Sequence, residues 1–154
     1  MTDDATKVHV KRGVDCIGVG CIFVCHDGNN RVLLHKRSLQ ARDEQGRWDC
    51  GGGALEFGES FVDAVRREVR EEYCAEARDI SLFGTHNVLR DNNGIPTHWV
   101  VLTFAVHVDP AEVKIGEPHK MDDIGWFTLG ALPAPLHSQI QKDFDCLRAA
   151  GILK

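Results

Sequence analysis

Residues Gly53–Ala75, GALEFGESFVDAVRREVREEYCA, hold a turn, a helix start and a set of aligned carboxylates within one short stretch. Ser60 is a good N-cap residue, Asp63 follows at capping-box spacing, and Glu59 adds negative charge where a helix dipole is positive. The pattern predicts a helix from Ser60 to about Tyr73. With Glu68 at zero and about 100° per residue, Glu72 falls near 40° and Glu71 near 300°, so the three carboxylates share one face. Phe61, Val62, Val65, Val69 and Tyr73 lie beside that arc and read as the core face, with Glu72 read as a solvated position. Ala64 projects between Glu68 and Glu71, where a small side chain leaves room for an ion.

Glutamates three and four positions apart repel one another, so the cluster adds nothing to a helix unless something positive sits over it. Hard divalent cations suit it. Mg2+, with Mn2+ as the alternative, takes oxygen ligands and commonly binds carboxylates together with substrate phosphates.

Upstream stand Gly51, Gly52 and Gly53, then Gly58 and Glu59. The spacing G-x5-E-x7-R-E-U-x-E-E-x-G-U, with U aliphatic, is met by Gly53, Glu59, Arg67, Glu68, Val69, Glu71, Glu72 and Ala75. In this respect the chain resembles the Nudix hydrolases. Two positions depart from the family pattern. Cys74 stands where the family has the helix-ending glycine, and in W-D-C-G-G-G (residues 48–53) Gly51 replaces the usual proline. Glycines there would let φ turn positive and a carbonyl face a metal, whereas Cys74 must either take a left-handed conformation or extend the helix. Neither change removes a carboxylate.

The resemblance implies an α/β fold, an α/β/α sandwich around a central mixed β-sheet. It implies a metal site made of Gly53, Glu59, Glu68, Glu71 and Glu72, with Arg67 pairing Glu59 and a loop carboxylate, Glu117 ahead of Glu112, completing the site or acting as base. Glu68 is the other candidate base. Substrate contacts are expected from Arg37 at a strand end, from His98 after a turn, from Trp48 where it is not simply core, and from one of Trp126 and Phe127 in the segment GWF, the other being core. LEFGES, His98-Trp99 and the segments 117–120 and 126–127 look most similar to the small MutT-like nucleoside triphosphate pyrophosphatases. ADP-ribose or nucleotide-sugar cleavage is the runner-up, and a nucleotide-binding module without turnover is the reading from another class.

At 154 residues, with 43% hydrophobic and 27% charged content, the chain suits one soluble domain, 13–154, behind a polar N-terminus, 1–12, free to fray. A net charge of −5 argues against a nucleic-acid polymer as partner. No apolar run is long enough for a membrane span and no signal-peptide pattern opens the chain, so the cytoplasm is the default; a homodimer stays open. Six cysteines include no CxxC pair, and Cys16, Cys21 and Cys25 with His26 sit in a strand-like run that suits zinc poorly.

The remaining elements are read as follows. A strand Val14–Cys25 pairs back through HDGNN with Arg31–Lys36. Strands Ile80–Leu89 and Trp99–Val108 form a hairpin around RDNNGIPT, the second of them central. Residues 109–120 form a flexible loop, Met121–Thr128 a strand, and Pro135–Ala149 an amphipathic helix built on Leu136, Ile140, Phe144 and Leu147.

Overall fold

The structure, a computed structural model, describes residues 8–154; of the expected fraying segment, residues 1–7 lie outside the described residues. Nine elements follow in order: β1 (Gly18–His26), β2 (Arg31–Arg37), β3 (Trp48–Asp49), β4 (Gly51–Ala54), α1 (Phe61–Tyr73), β5 (Arg78–Asn92), β6 (Ile95–His107), β7 (Met121–Thr128) and α2 (Ile140–Ala149). They form an α/β/α arrangement around a mixed sheet. Strand β1 lies at its centre, parallel to β6 (Gly18 opposite Trp99 through His26 opposite His107) and antiparallel to β4. Strand β5 pairs antiparallel with β6 on the outer side.

Alternation along β1 explains the two helical layers. Cys21, Phe23 and Cys25 point into a cluster with Ala64, Val65, Val69 and Tyr73 of α1, whereas Ile22 and Val24 point into a second cluster with Ile140, Phe144 and Leu147 of α2. Burying one such side chain contributes about 1.5–3 kcal/mol before conformational entropy is counted, so β1 is held from both faces.

Several expectations are corrected. The β1–β2 register reaches only His26 opposite Val32; along its length β2 instead pairs with β7, and β4 takes the free edge of β1. The β5–β6 strands run on through most of RDNNGIPT, leaving Asn93 and Gly94, both at positive φ, as the turn. Helix α2 begins at Ile140 rather than Pro135, because Trp48 pairs with Leu136 and its amide donates to the Pro135 carbonyl, holding that segment extended. Loop 109–120 is docked onto the end of α1. Lys114 N–H donates to the Tyr73 carbonyl and Gly116 N–H to the Glu72 carbonyl, satisfying groups that a helix end leaves open. No helix of the described residues is long and apolar enough to cross a membrane.

On α1, Ser60 Oγ accepts from Asp63 N–H at 3.1 Å, as the capping signal requires. The axial end of the helix differs from the projection, since Phe61 and Val62 are exposed although they lie on the core side. Their turn stands beyond the cluster that Val65, Val69 and Tyr73 enter. Conversely Glu68 and Glu72, 7% and 5% exposed, belong to the buried face, which overturns the solvated reading of Glu72.

The glycine run is extended backbone, and none of Gly51, Gly52 or Gly53 has positive φ. Space explains them. A Cβ at Gly53 would stand 2.0 Å from Glu68 Oε1, and one at Gly51 would stand 2.1 Å from Phe23 Cε2, so the Phe23 ring fills the volume that a side chain at position 51 would need. Cys74 does take the left-handed conformation (φ 56°, ψ 20°) and donates its N–H to the Arg70 carbonyl, ending the helix where glycine would. A left-handed non-glycine residue costs about 1–2 kcal/mol, partly offset by the chain entropy glycine would lose. Cys74→Gly is therefore expected to raise stability by about 0.5–1 kcal/mol; urea unfolding checks it, and an unchanged midpoint would show that Cys74 is unstrained.

Candidate active site

Two groups of carboxylates flank the glycine strand. In the first, the Arg67 guanidinium grips Glu59 with Nε on Oε1 at 2.8 Å and Nη2 on Oε2 at 3.0 Å. It also reaches Glu68 Oε1 at 2.6 Å and Glu71 Oε2 at 3.4 Å. Hydrogen bonds from Arg67 hold the Glu59 carboxyl below its usual range. Glu68, despite the same arginine, is pushed up, because burial outweighs it. Arg67 thus spans the acidic face, and its expected pairing with Glu59 is one of three carboxylate contacts.

The second group is Glu72, Glu117 and Lys120. Glu72 Oε2 accepts from Gly52 N–H at 3.2 Å. Burial, and then the charges of Glu68 and Glu117, push its carboxyl well above the ordinary range. Glu117 is brought here because Gly116 docks tightly on α1, where a Cβ would stand 2.0 Å from the Glu71 carbonyl oxygen. Lys120 Nζ donates to Glu117 Oε1 at 3.0 Å. It stands 2.9 Å from Oε2 as well, but off the hydrogen-bonding direction, so that buried oxygen accepts no hydrogen bond.

The donors fit a hard divalent cation. All are oxygens, like charges crowd on one helix face, the missing side chain of Gly53 admits Glu68, and one Glu117 oxygen is without a donor. Among the described residues no three acidic, histidine or cysteine side chains already converge on one ion position. Arg67 and Lys120 are the cations paired with these carboxylates.

From Glu72 and the glycine strand a cleft of about 720 Å³ runs along the α2 side of the sheet. Gly20, Val101 and Trp99 form part of its floor, Arg37 and Arg90 its rim, and Lys120 and Asp143 line it further. Of the residues expected to contact substrate, only Arg37 borders this cleft, and its guanidinium is engaged by Asp43 at 2.5 Å and Asp49 at 3.2 Å. Trp48 packs edge-on against Phe127 at 5.2 Å in the α2-side core. Trp126 faces the α1-side core with Arg31 over its ring, so neither residue of the Trp126-Phe127 pair lines the cleft. His98 bonds Asn87 at 2.9 Å beside a separate hollow of about 340 Å³.

Sequence reasoning passed over Lys120, Arg12 and Asp143. Arg12, in the segment expected to fray, donates to the Leu55 carbonyl at 2.8 Å. Lys120 carried a signal in its spacing from Glu117. Asp143 carried one too, as an acid between Ile140, Phe144 and Leu147 on the apolar face of α2. Its carboxyl is pushed up to about 7 by burial and then by Asp49, with Lys142 opposing.

A family model described as the NUDIX domain matches residues 16–147. An ADP-ribose pyrophosphatase of Methanocaldococcus jannaschii is 33% identical over 119 residues, which cover 75% of this chain and 66% of that protein. The NAD-capped RNA hydrolase NudC of Vibrio parahaemolyticus is 26% identical over 73% of this chain and 40% of its own length. Among solved structures, a MutT NUDIX hydrolase from Burkholderia pseudomallei superposes with a TM-score of 0.75 and 29% identity, covering 84% of this chain and 97% of that one. The NUDIX domain of Shewanella oneidensis NrtR, complexed with ADP ribose, gives a TM-score of 0.71 over 93% of this chain and 94% of that one; at 16% identity it shares the fold alone.

Folded Asp143 keeps its proton to about pH 7, whereas the unfolded chain releases it near 3.8. Between those values the folded state binds more protons, so stability falls as pH rises, by on the order of 4 kcal/mol in total. Asp143→Asn should abolish that loss. Its melting temperature is expected several degrees above that of the unsubstituted protein at pH 8 and level with it near pH 4; equal curves at both would contradict the buried-acid assignment.

Proposed function

This chain belongs to the Nudix family, and from that premise we propose that it is a Mg2+-dependent hydrolase cleaving a phosphoanhydride of a nucleoside diphosphate derivative. The observation that carries the reading is the gathering of Glu68, Glu72 and Glu117 around a side-chain-free strand at the end of a nucleotide-sized cleft. Glu68, Glu71 and Glu72 would hold the ion, with Glu59 and the Gly53 carbonyl as further ligands; Mn2+ would serve in its place. When bound, such a cation neutralises phosphate oxygens and makes a bound water acidic enough to become the nucleophile.

The protein's own groups have separable tasks. Arg67 orients Glu59 and Glu68 and keeps the turn before α1 against the helix. Lys120, on the cleft wall, offers its ammonium to substrate phosphates as a compact charge. Glu117 Oε2, buried and accepting no hydrogen bond although paired in charge with Lys120 at 2.9 Å, is the atom best disposed to accept a proton from the attacking water, with Glu68 as the alternative.

The leading substrate is a nucleoside triphosphate, split to the monophosphate and pyrophosphate. ADP-ribose or a nucleotide sugar is the second reading, favoured by the name of the archaeal relative. A binding module that lacks turnover is the contrasting class, and intact Glu59, Glu68, Glu71 and Glu72 speak against it. Glu72→Gln is expected to lower kcat by at least about a hundredfold. Its fold is retained, since the amide is isosteric with the carboxyl and its oxygen can still accept from Gly52 N–H. Phosphorus NMR of the products from ATP and from ADP-ribose, with and without Mg2+, reads both points. Unchanged turnover in this variant would sink the metal-site assignment, and monophosphate with pyrophosphate separates the leading substrate from the second.

A further inference from the structure

Strand β2 carries a buried histidine. Alternation sends Leu34 into the α2-side core and His35 to the α1 side, where its ring meets Tyr73. His35 is 5% exposed and Tyr73 0%, and Nδ1 of the ring stands 2.7 Å from the Tyr73 hydroxyl. Among the described residues that hydroxyl has no other hydrogen-bond partner.

This contact fixes where the ring carries its hydrogen. A buried O–H needs an acceptor, and Nδ1 accepts only while it bears no proton. With Nδ1 protonated, the ring would donate to the Tyr73 oxygen and leave the hydroxyl hydrogen unpaired in a buried place, which is costly. Burial, and then the charges of Arg37, His137 and Lys120, lower the ring's pKa to about 4, so the charged imidazolium does not compete at neutral pH. The neutral ring therefore carries its hydrogen on Nε2, because the bond made by one ring nitrogen sets the state of the other.

Nε2 has different surroundings. It takes part in no hydrogen bond among the described residues, yet it is not a buried atom left without a partner, as Glu117 Oε2 is, so it keeps access to the cleft that His35 lines. Arg37 and Lys120 line the same cleft. Arg37 stands two residues further along β2, on the face His35 occupies, and its partner across to β7 is Met121, next to Lys120. A neutral N–H with cations beside it suits an anionic oxygen. Because Tyr73 follows Glu72, the ring lies toward the end of the cleft where the glutamates gather.

We infer that the Tyr73 hydroxyl positions His35 so that its Nε2–H donates to a phosphate oxygen of the ligand. The inference rests on the reading of this cleft as a phosphate site. His35 is the group that touches the ligand, and Tyr73 is a positioning residue that acts through it. A donor already oriented by a buried partner needs no rearrangement when the anion arrives, and a hydrogen bond to a charged oxygen is about twice as strong as one between neutral groups. A neutral donor also adds recognition without adding a further positive charge beside Arg37 and Lys120.

Binding of inorganic pyrophosphate with Mg2+, followed by titration calorimetry, tests this apart from hydrolysis. Tyr73→Phe with His35→Leu removes both polar partners, a replacement that costs little stability when both go together. Tyr73→Phe with His35→Gln returns an N–H donor close to the Nε2 position. The first variant should bind pyrophosphate at least about tenfold more weakly than the unsubstituted protein, and the second within about threefold of it. Circular dichroism checks that both fold. Long-range proton–nitrogen NMR of the unsubstituted protein reads the ring directly and decides the question even where a variant fails to fold. Nδ1 should be unprotonated and Nε2 protonated, and pyrophosphate should shift the Nε2–H resonance, which a purely structural histidine would not show. A protonated Nδ1, an Nε2–H that pyrophosphate leaves unmoved, absence of pyrophosphate binding, or equal affinity of the two variants overturns the inference. Pyrophosphate binding that depends on His35 in a protein that hydrolyses no phosphoanhydride would instead overturn the hydrolase reading and leave this one standing.

Discussion

Between helix α1 and strand β4 the Glu68 side chain fills the space that a side chain on Gly53 would need, and the rest of the molecule follows from that contact. A Cβ on Gly53 would meet the Glu68 carboxylate at 2.0 Å. Because the approach is this close, Glu68 and Glu72 are buried among apolar neighbours, where ionised carboxyls are disfavoured unless cations or donors attend them. Arg67, Lys120 and the Gly52 amide supply that attendance. The site is therefore under electrostatic tension, with carboxyls raised by burial beside an arginine that holds them together.

The same contact orders the connecting segments. Loop 109–120 docks because the last carbonyls of α1 need donors, and Gly116 alone permits the approach. Glu117 and Lys120 reach the glutamates as a consequence of capping a helix. On the opposite face of the sheet, the small residue Gly20 in β1 and the long β5–β6 hairpin leave the cleft open toward α2.

Much of this was legible in the chain. The spacing of Gly53, Glu59, Arg67, Glu68, Glu71 and Glu72 is local, and local spacing on a helix translates directly into a shared face. The turn signals at residues 26–30 and 93–94 and the two amphipathic helices were legible for the same reason. Phe61 and Val62 were misplaced because a helical projection keeps angle and discards position along the axis. Trp126 read as a ligand contact, and Trp48 as a core residue that could also meet substrate; Trp126 lies under Arg31 and Trp48 against Phe127, each neighbour coming from a distant segment.

What the sequence by itself determined is the set of groups present and their order on each element: four box carboxylates, an arginine among them, and a glycine run ahead of the helix. Only the tertiary structure decided which of these are buried, which loop carboxylate joins them, and that Asp143 faces a cleft while Arg37 is taken up by Asp43 and Asp49. The physical reason is that side-chain spacing within an element is set by covalent geometry, whereas burial and partnership depend on residues far apart in the chain. Gly51 shows both halves: its identity departs from the family pattern, and the Phe23 ring on the paired strand, together with Glu72 Oε2, fills the space a side chain there would need.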